Sequence, residues 1–385
     1  MLKYQNKIGG ELFMYKKIAL LIMISILVLS ITTGSTGQNA IVDSMDFQGE
    51  VEMLSLDDAI DRALTDNPTI EKNKLNLENA QLEFEKKSND IKEAKERIKK
   101  DTWQYKESVD LPKLETEYNL SNAQRNYDKS IADVKKEVEQ AYFNLLHAQT
   151  QMDINKENVE IAESLYEHSK MKFELGDVTE KELSNSELNY LQAQKDYKVS
   201  EDNIKSTKMA LNIKLGREVM ENLNLQDKLI VKEVPKIGIA EAVTKALDNR
   251  SEVKTVEYNY QKADIEMKSI SIQYPDITYQ YKEKKIALEE AKRNLEKTKK
   301  DIEMEIRDNY MTILQKSEEI KINEKSVALS KKVLDITQAS YNLGASVNID
   351  VEQAQADYQT KRIELSNAIL DYNVALMNYE NSMGN

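Results

Sequence analysis

The chain has 385 residues, 31% of them charged, with a net charge of −13, only 10 Gly and 4 Pro, and no Cys. The acidic balance excludes nucleic acid as a partner, because phosphates demand a surplus of Lys and Arg on the binding face. The lack of Cys excludes disulfides, thiolate metal sites and lipidation of an N-terminal Cys. Phe and Trp together number six, which is little material for a broad aromatic core. Few helix breakers and interspersed charges fit long helices with thin apolar seams.

Taken in chain order, Lys16 and Lys17 precede an apolar run over 18–31, followed by small and polar residues to Ala40. That is the layout of a secretory signal, so 1–40 is read as a signal peptide and the chain as exported. The run is shorter than the about 20 apolar residues of a bilayer span. No clean cleavage site stands in 32–40, so an uncleaved N-terminal anchor is the alternative. Met14 lies two residues before the basic pair, which makes 1–13 an upstream start outside the fold.

Two copies of one unit follow. Leu56-Asp57-Asp58-Ala59-Ile60-Asp61-Arg62-Ala63-Leu64 aligns without gaps on Ile239-Ala240-Glu241-Ala242-Val243-Thr244-Lys245-Ala246-Leu247, an offset of 183. Further on, Phe173-Glu174-Leu175-Gly176 matches Tyr341-Asn342-Leu343-Gly344, and Leu215-Gly216 matches Met383-Gly384, both at an offset of 168. The copies therefore divide as 41–225 and 226–385 and differ by one net 15-residue deletion between Glu85 and Val138 of the first. A repeat of this length decides the architecture before any local reading.

Each copy reads as a short amphipathic helix, an ascending helix that opens at Pro68 in the first copy, and an apical break. A long descending helix, a tight Leu-Gly turn and a returning helix complete it. Pro112 and Pro275 mark the breaks, and Pro235 falls in a linker over 226–238. In the first descending helix Val134, Val138, Ala141, Leu145, Ala148, Met152, Val159, Ala162, Tyr166, Ser169 and Phe173 lie on one heptad seam, while Tyr142, Leu146, Ile161 and Leu165 form a second flank. The second copy repeats both, with Ile302, Ile306, Ile313, Ile320, Val327, Leu334 and Tyr341 on the seam and Tyr310, Leu314, Leu329 and Val333 beside it. If 113–175 is continuous it is about 95 Å long. The expected fold is thus all-α, two tandem repeats of long coiled-coil-like helical hairpins. Two apolar flanks on a long helix want more neighbours than one hairpin supplies, which is a physical motive for oligomerisation.

Several segments carry a family resemblance: Ala63-Leu64-Thr65-Asp66-Asn67-Pro68 with its echo at Ala246-Leu247-Asp248-Asn249-Arg250-Ser251, Ala141-Tyr142 at the opening of the long helix, and the two turns. The turns run Phe173-Glu174-Leu175-Gly176-Asp177-Val178 and Tyr341-Asn342-Leu343-Gly344-Ala345-Ser346-Val347-Asn348-Ile349-Asp350-Val351. Over roughly 54–384 the chain resembles the TolC-like outer-membrane efflux family. The resemblance implies a homotrimer whose twelve helical strands form a tapering α-helical tunnel, with the Leu-Gly turns at the closed tip. It also implies docking of those tips on a periplasmic-adaptor-like (membrane fusion) protein coupled to an inner-membrane pump. The matching positions are Leu175, Gly176, Asp177, Val178 and Thr179 in the first copy and Leu343, Gly344, Ala345, Ser346 and Val347 in the second. The tunnel-entrance gate that the family implies falls on Asp350, with Glu182 at the equivalent first-copy position, on the tip-closing Tyr341, and on Gln353, which replaces a second acid.

One departure stands out. The family inserts a two-stranded β-hairpin at each apex, and a membrane strand needs about 9–11 alternating residues. Lys-rich helical sequence fills 85–138, and at the second apex only Ile277, Tyr279 and Tyr281 alternate. Membrane β-strands are therefore not expected, and membrane insertion through a barrel is in doubt.

Each candidate also has a plainer reading. Gly176 and Gly344 suit helix C-termini, which favour Gly in the left-handed conformation, and Asp350 and Glu182 suit the first turn of a returning helix. The tyrosines Tyr190, Tyr197, Tyr358 and Tyr372 read as packing. Trp103, Tyr105, Tyr274, Tyr279 and Tyr281 read as capping of the bundle or as a remnant interface anchor. His147 and His168 have no ligand set of metal spacing and are read as solvent-facing. No nucleophile elbow or phosphate loop occurs, so neither enzyme activity nor a cofactor is expected. The function read is an exported, cell-envelope tunnel component of a tripartite efflux or secretion system. The alternative is an exported coiled-coil spacer or envelope interaction protein that has lost transport.

Overall fold

A computed structural model describes residues 47–65, 67–234 and 237–384. The expected signal segment 1–40, Met14, Asp66 and Pro235 lie outside the described residues. The chain separates into one unit over 1–49 and a second over 50–385; everything below concerns the second, together with residues 48 and 49, which open the first strand.

After strand β1 (Gln48–Leu54) come α1 (Leu56–Leu64) and α2 (Pro68–Arg97). Ser55 and Asp58 close a capping box at the start of α1, and Asn67 accepts from the amides of Thr69 and Ile70 with Pro68 at the first turn of α2. Both are standard N-terminal devices that satisfy orphan backbone donors. A break over 98–102 leads through the helical turn Trp103–Tyr105 and the π-helical turn Lys106–Asp110 into α3 (Leu111–Leu175), followed by α4 (Glu180–Lys214) and β2 (Glu221–Leu225). The second copy gives α5 (Ile239–Asn249), α6 (Ser251–Gln273), α7 (Tyr279–Asn342) and α8 (Asn348–Ser382). The all-α architecture of paired hairpins is as expected, and α3 alone spans about 97 Å.

The structure departs from the expectation at the first break. It lies at 98–102, where Asp101 takes the left-handed conformation with φ 62°, and not at Pro112. Proline has no N–H and its ring crowds the preceding turn, so in a helix interior it normally kinks or breaks the helix. Here the wider π turn just ahead of it, closed by the Leu111 amide on the Lys106 carbonyl, absorbs the irregularity, and helical backbone runs on unbroken from Trp103 to Leu175. Pro275 does fall in its break, at 274–278. Ala141-Tyr142 likewise sits near the middle of the long helix and not at its opening.

The two-stranded sheet β1–β2 was not expected. It is held to the helices by side chains of mixed origin. The Tyr142 hydroxyl lies 3.0 Å from the Leu54 carbonyl and 2.6 Å from the Asp227 carboxylate. Burial and that carboxylate together push the Tyr142 pKa well above its usual value. Arg217, its side chain almost wholly buried, reaches Glu221 at 2.6 Å and Glu52 at 3.1 Å. Asn212 donates to the carbonyls of Val219 and Glu221.

Four helices lie abreast in each half of the wall. Towards the Leu-Gly turns the order is α4, α3, α8, α7, and towards the breaks it is α2, α3, α6, α7. Position in this order decides what the apolar flanks meet. On α3, Val138, Leu145 and Ala148 of the seam and Tyr142, Leu146 and Leu165 of the second flank are all buried: Leu54 and Asp227 close over Tyr142, and Leu165 packs on Val351 and Ala354 of α8. On α7 the seam residues Ile302, Ile306, Ile313, Ile320 and Leu334 are buried, yet Leu314, Leu329 and Val333 of the second flank are about half exposed or more. The same sequence device is thus internal in one copy and open to solvent in the other.

Candidate functional site: the Leu-Gly turns

Both turns are Schellman closures. Gly176 takes φ 80° and Gly344 φ 73°, a region that costs an L side chain and suits Gly. At the first, the Gly176 amide bonds the Phe173 carbonyl at 3.0 Å and the Asp177 amide the Lys172 carbonyl at 2.8 Å; at the second, Gly344 bonds Tyr341 at 3.0 Å and Ala345 bonds Ser340 at 2.9 Å. These bonds satisfy carbonyls that the helix end would leave unpaired. Leu175 and Leu343, one residue before each Gly, are 77% and 85% exposed, while Val347 is about half exposed. Large apolar side chains at a turn that closes without them are free for contact with something else.

Glu182 and Asp350 hold equivalent places, each three residues into its returning helix. Glu182 accepts from the Thr179 amide at 2.8 Å and hydroxyl at 2.9 Å, and Thr179 in turn caps the Glu182 amide. Asp350 accepts from the Ser346 hydroxyl at 2.7 Å and the Val347 amide at 3.1 Å. The Thr179 bonds hold the Glu182 pKa below the usual carboxylate value, and the Ser346 bond does the same for Asp350. Both carboxylates are therefore ionised and already occupied as caps.

Tyr341 is buried with Leu334, Leu165, Val351 and Ala354 between the two copies, and the Lys172 ammonium sits 3.7 Å from its ring centre. Gln353 is exposed and lines a groove of about 340 Å³ with Asn158, Asn189, Gln192, Glu352 and Gln355.

One cluster beside the turns was missed as a unit. The Asn348 amide nitrogen lies 3.0 Å from Ser169, 3.2 Å from Ser186 and 2.8 Å from Glu352. Asn189 donates to the other Glu352 oxygen at 2.6 Å. Three helices, α3, α4 and α8, are tied together here across the two copies. Burial raises the Glu352 pKa against the opposing pull of those hydrogen bonds. Ser169 and Ser186 standing at seam positions where neighbours are apolar was the signal that could have found it.

The tyrosines are packing residues. Tyr166 and Tyr190 stack at 5.9 Å, Tyr372 is buried, and Tyr358 lies under Lys331 and Arg362. His168 is exposed as expected, but His147 is not solvent-facing. It is half-buried and 2.8 Å from Asn367 on α8, and burial lowers its pKa. Among the described residues no group of three or more His, Asp or Glu could hold a metal ion. Also among them, no helix is long and apolar enough to cross a membrane.

Residues 273–385 match the family described as outer membrane efflux protein, a span that takes in α7, the second turn and α8. Comparison with curated protein sequences gives no match. Solved structures share the fold. The CmeC outer membrane channel of Campylobacter jejuni is 16% identical with a TM-score of 0.67, over 86% of this chain and 85% of that one. The outer membrane protein VceC of Vibrio cholerae is 13% identical with a TM-score of 0.66, over 86% and 96%. The MtrE outer membrane channel of Neisseria gonorrhoeae is 14% identical with a TM-score of 0.64, over 86% and 88%. The chain thus has the fold of TolC-like helical tunnels and carries an efflux-protein match over residues 273–385. Two of these three similar structures, CmeC and MtrE, are described as outer membrane channels.

Proposed function

We propose that this chain is the passive tunnel component of a tripartite efflux or secretion assembly in the cell envelope, acting as a homotrimer energised by partner proteins. The observation that carries the reading is the state of the two wall edges. On one edge, α7 exposes Ile322, Leu329 and Ile336, one every seventh residue. On the other, α4 exposes Leu188, Leu191, Val199 and Ile213, and α2 exposes Leu75 and Leu82. A heptad stripe on a helix edge is the seam of a further coiled-coil pairing. Because the two edges differ, pairing is head-to-tail, and such contacts close into a ring when the rotation permits. Three chains of four helices would make the twelve-stranded wall that the family resemblance implies.

In this reading Leu175, Val178, Leu343 and Val347 are the apolar points of the two turns that meet an adaptor hairpin, with Gly176, Asp177, Thr179, Gly344, Ala345 and Ser346 shaping them. Tyr341 and Gln353 belong to the entrance, where Glu182 and Asp350 fix the backbone on which any gate must move. The spacer alternative draws on the five-residue breaks, which carry no strand, and it predicts a monomer. Light scattering on the purified chain, with and without detergent, separates the two. A detergent-independent trimer supports the tunnel. A monomer throughout the micromolar range refutes it. Leu175→Asp with Leu343→Asp should then weaken adaptor binding without changing that mass.

A further inference from the structure

We propose that the groove between α4 and α8, floored by α3, binds a linear polyamine. It holds about 340 Å³ and lies within one chain, so the inference stands apart from the tunnel reading. No residue lining it is Lys, Arg or His, while Glu352 and Asp196 bring two carboxylates. Glu352 is held by neutral donors, Asn348 at 2.8 Å, Asn189 at 2.6 Å and the Ser186 hydroxyl, and no cation offsets its burial. Asp196 accepts from the Gln192 amide at 2.8 Å.

The hydrogen bonds name the chemistry of the ligand. The side-chain amide nitrogens of Asn189, Gln192, Gln355 and Gln359 all donate inside the protein, to Glu352, Asp196, Asn158 and Asn155 in turn. What remains is oxygen. Gln355 and Asn348 are 6% and 4% exposed, and the side-chain carbonyl oxygen of each accepts no hydrogen bond from the protein. Buried acceptors of that kind are rare and costly, and Gln355 lines the groove itself. Acceptors without donors call for N–H groups, and two carboxylates call for positive charge. Spacing then selects among cations. Asn189, which holds Glu352, and Asp196 stand seven residues apart on α4, about 10 Å along its axis. That is too far for both carboxylates to share one metal ion, and it suits a methylene chain with an ammonium group at each end. Gln355, one helical turn beyond Glu352 on α8, faces the middle of such a chain, and Ala162, Ala193 and Ala356 give its methylenes apolar surface.

The test is calorimetric titration of the full chain with spermidine, beside putrescine, which is too short to span both carboxylates, and butylamine, which carries one charge. The expected result is one saturable site per chain, with spermidine bound most tightly. Glu352→Gln and Asp196→Asn should each weaken it roughly tenfold to a hundredfold, the loss of one hydrogen bond to a charged group. Glu160→Gln removes the same charge from an exposed position of α3 outside the groove and should change nothing. Gln355→Met keeps the length of the side chain and removes the orphaned oxygen, so binding should weaken while the urea midpoint holds. Circular dichroism shows that each variant is folded. Equal affinity for spermidine and butylamine overturns the proposal, as does a Glu160→Gln chain weakened as much as Glu352→Gln. No binding of any amine would leave the two oxygens to water and overturns it as well.

Discussion

If the chains pair edge to edge as proposed, replacing Ile322, Leu329 and Ile336 together by Ser should dissociate the assembly without unfolding the chain. These side chains are 63%, 66% and 56% exposed in one protomer, so pairing with a neighbour would remove somewhat more than half of each from water. Full burial of an Ile or Leu side chain is worth roughly 1.5–3 kcal/mol, which gives about 1–2 kcal/mol per position and about 3–6 kcal/mol for the three. At 1.4 kcal/mol per decade, each interface weakens roughly 10²- to 10⁴-fold. The fold itself should survive, because none of the three belongs to the buried seam formed by Ile313, Ile320 and Leu334 on the same helix. The assay is light scattering over a dilution series with far-ultraviolet circular dichroism in parallel. A triple variant of unchanged helicity whose mass falls to the protomer supports the edge assignment. A triple variant that keeps the parental mass at every concentration refutes it.

Gly176→Val and Gly344→Val should each lower stability by about 1–2 kcal/mol, the cost of left-handed backbone for a branched side chain, read as a fall in urea midpoint; no fall would mean the turns do not hold that conformation. Ile313→Ala, at a fully buried seam position, should cost about 2–5 kcal/mol through lost burial and a residual cavity, and a change under 1 kcal/mol would show that the seam is not packed. Glu352→Gln tests the polar cluster. The folded Glu352 pKa is raised above its unfolded value, so its contribution is greatest below the unfolded pKa and is lost as pH rises through the folded one. The variant should therefore gain stability relative to the parent as pH rises through the mildly acidic range, and a difference independent of pH would argue that the carboxylate is not desolvated.

Much of this fold was legible because periodicity and duplication are long-range signals in one dimension. The seam through Val138, Leu145, Ile306 and Ile313 could be read from spacing alone, and the turns at Gly176 and Gly344 from their recurrence at a fixed offset. What escaped depends on which helix lies beside which. Nothing in the spacing distinguishes Leu146 from Leu314, yet one is buried and the other is bare at the wall edge. The π turn before Pro112 was hidden because proline normally ends a helix, and only the backbone shows that it does not here. The β1–β2 pair was missed since five- and seven-residue strands of mixed composition, held by Tyr142 and Arg217, leave little periodic trace. At the turns, Glu182 and Asp350 were recognisable as paired positions, but their engagement as caps came from geometry.

The 15-residue difference between the copies is shared between the two arms of the hairpin: α2 has 30 residues where α6 has 23. The first copy's apex therefore stands about 10 Å, nearly two turns, beyond the point where the second turns back. In a closed ring of three chains the rim would not be level. It would be a crown of three tall points alternating with three low ones, and any flat partner would rest on it first as on a tripod.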